Sequence, residues 1–179
     1  MQRLVLVVAL AALAGLVSCE YDLDACARDH TCQALATGDG GAVTCEMSTA
    51  QSCVAATSHQ ELSWIQTNIF NGQCTFSGCH NGGATPQGMV DLTMSNSYAH
   101  LVNYTSILEP SRQLVVASDP KSSYLEVMLG IITPDQATPP ASPPRSDVGY
   151  MPQDNGGALL CCQKLQAIDR WISMGAMNN

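Results

Sequence analysis

In the run CTFSGCHNGG, residues 74 to 83, Cys74, Cys79 and His80 stand at a spacing that could do chemistry. Two thiols can add to the two vinyl groups of a porphyrin, and a histidine directly after the second thiol can become an axial ligand of its iron, as in C-x-x-C-H. Here four residues, rather than two, separate Cys74 from Cys79. The thioethers would constrain the two sulfurs and His80 rather than the backbone between them, and Ser77 and Gly78 make that backbone adaptable. An iron that carries electrons without binding oxygen needs a sixth ligand, and a thioether sulfur there raises its potential. Met151, before Pro152 at the end of a long loop, is the expected sixth ligand. Met89, Met94 and Met128 suit the default role of methionine as filler, and His100 is the rival ligand, in a bis-histidine site.

The same cysteines admit a second chemistry. Cys161 and Cys162 are adjacent, and because neighbouring cysteines seldom bond to each other each needs a separate partner. Those partners could be Cys74 and Cys79, giving a haem-free domain in which disulfides staple a small core. Alternatively they are Cys26, Cys32, Cys45 or Cys53 of the N-terminal segment, which would then fold onto the domain and leave Cys74 and Cys79 for haem. No G-x-S-x-G elbow, Walker A loop or H-E-x-x-H is present, so no enzyme class is indicated by motif. Reduction of hydrogen peroxide would require Met151 to leave the iron.

The chain opens MQRLVLVVALAALAGLVSC, one arginine followed by an uncharged apolar run and small residues, the layout of an export signal. Roughly fifteen apolar residues are short of the about twenty needed to span a bilayer. Its end, Leu16-Val17-Ser18-Cys19, resembles the lipobox of bacterial lipoproteins, which implies cleavage before Cys19 and lipid on its sulfur. Several acyl chains give stable anchoring. Glu20 is not the aspartate that in this family reads as inner-membrane retention, so the expected address is the outer membrane, facing the periplasm or the cell surface. Lipid on Cys19 also removes the odd member of nine cysteines, leaving eight for an oxidising compartment. Loss of Arg3 with the signal leaves six of the seven Lys and Arg against fifteen Asp and Glu. That acidic surface lacks the basic footprint of a nucleic-acid binder and steers basic or neutral partners.

These residues need elements to position them. Residues 1–18 read as signal peptide, 19–59 as a cysteine-rich tether or cap without sustained periodicity, with Gly38-Asp39-Gly40-Gly41 as a turn, and 60–179 as one domain. In SHQELSWIQTNIF, Leu62, Ile65 and Ile69 fall at helical spacing, Ser58 or Ser63 could cap, and Asn71-Gly72 ends the helix just before Cys74. A second helix is expected over SNSYAHLVNY, capped by Ser95 or Asn96. A third covers SDPKSSYLEVMLG, with Ser118 or Asp119 as cap, Pro120 in the first turn and Gly130 as stop. Residues 133–149 form a proline-rich loop. A last helix, about 159–174, presents Leu165, Ile168, Trp171 and Ile172 as its buried stripe. Asp119, Glu126 and Asp169 read as cap or solvent-face residues, and Asp91 as part of a surface turn, with ordering of the loop near the haem edge as the alternative. The expected fold class is mainly α, with long loops.

Taken together, the helix leading into CTFSGCH, then GGATPQGMVDL, SYAHLVN, VVASDPKSSYLEVML, the GYMP loop and the closing AIDRWISMGA resemble a small cytochrome c domain of bacterial secreted and lipid-anchored proteins. The resemblance implies haem c attached through Cys74 and Cys79, His80 as proximal and Met151 as distal ligand, and a redox-partner protein. It also implies contact between the first and last helices through Ile65 and Ile69 against Ile168 and Trp171. The four-residue spacer and the Cys161-Cys162 pair depart from the family pattern.

Overall fold

The computed structural model describes residues 45–75, 79–82, 90–153 and 160–179. Cys19, Cys26, Cys32, Met89, the lipobox, the Gly38–Gly41 turn and the spacer residues Ser77 and Gly78 lie outside the described residues. Among those described, the domain is mainly helical and has no strand; two isolated bridges, Val102 with Val115 and Thr105 with Gln113, are its only β pairing. No helix among them is long and apolar enough to cross a membrane.

The helices are α1 (Gln51–Ala56), α2 (Leu62–Ile65), α3 (Asn71–Gln73), α4 (Ser97–Leu101), α5 (Tyr124–Met128) and α6 (Cys162–Ser173). A π-helical turn, Gln66–Phe70, joins α2 to α3, so the expected first helix is one continuous rod ending at Cys74. Neither Ser58 nor Ser63 caps it. Its first-turn N–H groups are taken by the C-terminal residue: Leu62 N–H donates to Asn179 Oδ1 at 3.1 Å and Ser63 N–H to Asn179 O at 2.8 Å. A helix start leaves such donors orphaned unless something accepts them, and here the acceptor comes from the far end of the chain.

α1 is a helix within the stretch expected to be an irregular tether. It is too short to persist alone, and tertiary bonds hold it against α6. Cys53 is disulfide-bonded to Cys161 and Cys45 to Cys162. Arg170 Nη2 donates to Ala56 O at 2.6 Å and to His59 O at 2.9 Å, satisfying carbonyls at and beyond the end of α1.

The third expected helix is broken in two. Asp119 accepts the Ser122 N–H at 3.1 Å and caps a 3₁₀ turn, Pro120–Ser122. Ser123 then turns extended, its hydroxyl donating to Asp119 O and accepting from Val116 N–H, before α5 begins. Gly130, at φ +67°, ends α5 region as a left-handed residue must when glycine is the stop. The proline-rich loop contains one 3₁₀ turn, Pro134–Gln136.

Ile65, Ile69, Leu101, Val115, Val127, Ile168, Trp171 and Ile172 form a continuous core in which the first helical rod meets α6, as the periodicity predicts. Glu126 overturns the solvent-face expectation: it lies in this interior at 0% exposure. Asp169, read the same way, is half-buried and close enough to Glu126 to act on its charge.

Candidate functional site

Cys74 follows directly on α3, its N–H bonded to Phe70 O at 2.9 Å, so the helical rod fixes its position. The chain turns at once: His80 N–H donates back to Cys74 O at 2.9 Å, and Leu92 N–H donates to His80 O at 2.9 Å. Buried Gln66 Nε2 donates to Leu92 O at 2.6 Å and ties that returning segment to the first rod. Gly82 serves this turn for a steric reason. It sits at φ +77°, and a Cβ there would come within 2.8 Å of Asp91 Oδ2.

The Asp91 carboxylate, expected in a surface turn, is buried at 8% exposure. Burial works against its charge. The Thr93 hydroxyl and N–H, the Asn96 amide and nearby His100 outweigh that and hold the carboxyl below its usual range. Asn96 stands at the N-cap of α4 as expected, but its side chain serves Asp91 rather than the helix.

His80 is held by its ring as well as its backbone. Nδ1 lies 3.0 Å from Val90 O, and because a carbonyl only accepts, the proton belongs on Nδ1 and the lone pair on Nε2. Burial lowers the His80 pKa, with the Val90 bond opposing, which favours the neutral imidazole. That protonation state, with the second nitrogen anchored on a carbonyl, is what a metal-ligating histidine requires.

A cavity of about 420 Å³ opens beside this turn. Cys74, Cys79, His80 and Met151 all line it, with Phe70, Leu92, Leu101, Leu114 and Ile168 among its apolar walls. Met128, a buried core residue as its filler role predicts, lines the cavity too. Arg145 and Asp147, paired at 2.6 Å, stand at its polar edge, where Ile107 is 45% exposed. His100 is not among the lining residues; its Nδ1 accepts the Asp91 N–H at 2.9 Å and its ring stacks on Tyr104.

The two motif cysteines differ. Cys74 is a free thiol, and burial pushes it up to about 12, with the charge of Lys164 opposing. Cys79 is disulfide-bonded. Of the two pairings open to Cys161 and Cys162, the structure has the one with the N-terminal segment: Cys53 and Cys45 take both, because the start of α6 packs against α1, and neither reaches Cys74 or Cys79.

Lys164 escaped the sequence reading. It sits beside the stripe position Leu165 of α6, is 6% exposed and donates to Gln73 Oε1 at 3.0 Å beside Cys74. Leu114, Val148 and Ile107 also line the cavity from irregular loops, where no periodicity marks an inward side chain.

Comparison of the chain with family models, with curated proteins and with solved structures finds no match.

Proposed function

We propose that this chain is a c-type haem protein of the bacterial cell envelope, a single-electron carrier anchored by lipid on Cys19. The observation that supports this reading is the convergence of Cys74, Cys79, His80 and Met151, from two segments distant in sequence, on one apolar cavity. The donor set fits the group: an imidazole with its lone pair on Nε2, a thioether, and a thiol, within walls suited to a porphyrin face. Haem bound there would supply one-electron transfer at its iron.

The chain's own residues do the rest. Val90 O orients the His80 ring, the bond from Met151 N–H to Met128 O holds the sulfur-bearing loop, and Phe70, Leu92 and Leu114 make the cavity walls apolar, which disfavours water beside a bound group. Exclusion of water is one of the levers that set a haem potential. The excess of fifteen Asp and Glu over the six Lys and Arg left after Arg3 is removed steers basic or neutral redox partners toward the surface.

The Cys79 disulfide favours a second reading, a haem-free surface lipoprotein that binds or supports a partner, since a sulfur in a disulfide cannot also be a thioether. Export of the full chain in a host competent for cytochrome c maturation separates the two. The haem reading expects a pyridine haemochrome and a haem stain that survives denaturing electrophoresis. Colourless protein would sink it in favour of the second reading.

A further inference from the structure

This inference rests on the haem reading and concerns how the group is attached. A pair of thioethers needs two thiols, and in CTFSGCH only one is present as such: Cys74 is free and lines the cavity, whereas Cys79, 7% exposed, is already disulfide-bonded. Cys161 and Cys162, the alternative disulfide partners of Cys74, are held by Cys53 and Cys45.

We propose that covalent attachment runs through Cys74 alone, while Cys79 keeps its disulfide. The step balances without an oxidant or reductant. The Cys74 S–H bond breaks as sulfur bonds one vinyl carbon, the hydrogen goes to the other, and the vinyl π bond is consumed. The second vinyl group stays unsaturated.

A second thioether would pin His80 from the residue before it. Here the bonds from His80 N–H to Cys74 O and from Leu92 N–H to His80 O, each 2.9 Å, already restrain that backbone. The four-residue spacer, too wide for C-x-x-C-H, then asks nothing of the haem, because only its first cysteine reaches it.

The test uses the full exported chain from a maturation-competent host. Mass mapping of unreduced wild-type peptides should find haem on the Cys74 peptide and Cys79 in a disulfide. Cys74→Ala should lose at least ten-fold of the haem stain that survives denaturation and release its haem to acid-acetone, while Cys79→Ala keeps the stain on whatever protein accumulates. Two thioethers in the wild-type map, or covalent haem retained in Cys74→Ala, would overturn single attachment and leave the haem reading intact. Wild-type protein without haem would remove that reading, and this inference with it.

Discussion

Met151 donates its backbone N–H to the carbonyl of Met128 across 2.8 Å, so the loop that carries the expected distal sulfur is latched to the C-terminal end of α5. Both side chains line the cavity, and the latch uses main-chain atoms that no side-chain substitution removes.

Met151→Ala therefore should delete the sulfur without releasing the loop. In haem-loaded protein the sulfur-to-iron charge-transfer band should vanish, and the urea midpoint should move little, by about 1 kcal/mol equivalent or less, because Met151 is only partly buried. A band that persists in Met151→Ala rejects this residue as the ligand.

Glu126 should make stability fall as pH rises. It is 0% exposed, and neither carboxyl oxygen has a hydrogen-bond partner among the described residues. Burial first, and Asp169 second, raise its pKa from 4.5 to about 8. The folded state thus keeps a proton that the unfolded chain has lost. The stabilising difference is fully present below pH 4.5 and disappears as pH climbs toward about 8. The slope from this one group is on the order of 1 kcal/mol per pH unit. Glu126→Gln should flatten it, as read from urea unfolding at several pH values between 5 and 8. A slope unchanged in the variant would show that the carboxyl does not titrate in this way.

The bonds from Cys45 to Cys162 and from Cys53 to Cys161 close separations of 117 and 108 residues. Cross-links over such spans restrict the unfolded chain strongly, and losing one costs about 2–5 kcal/mol. The double variant Cys45→Ala with Cys162→Ala should lower the unfolding midpoint accordingly without leaving a new free thiol. Peptides linking Cys161 or Cys162 to Cys74 or Cys79 would contradict the pairing outright.

Gly82→Ala combines a left-handed backbone with a Cβ 2.8 Å from Asp91 Oδ2. The expected loss is about 1–3 kcal/mol. Because this turn carries His80, haem retention should fall in parallel. Normal urea stability in Gly82→Ala would mean that the turn can move away from Asp91.

Local pattern carried much of this molecule. The apolar spacing of Leu62, Ile65 and Ile69, and of Leu165, Ile168 and Ile172, is enough to mark the first rod and α6 and to place their meeting faces. Asp119 before Pro120 marks a capped turn by its own chemistry. Residue type and order group Cys74, Cys79, His80 and Met151, and all four line one cavity.

What the tertiary structure alone decided concerns partners distant in sequence. Nothing local says that Asn179 caps the rod at Leu62, that Arg170 satisfies the end of α1, or that Cys161 and Cys162 turn to Cys53 and Cys45. Nor does the sequence show Glu126 as interior, since a single acidic residue in an amphipathic pattern looks the same whichever neighbours cover it. The physical reason is common to all four. Propensity and periodicity act over a few residues, whereas pairing of donors, thiols and buried charges depends on which distant surfaces the core brings into contact. In that way the fold took two cysteines alike in sequence and left Cys74 a thiol in the cavity wall while binding Cys79 in a disulfide.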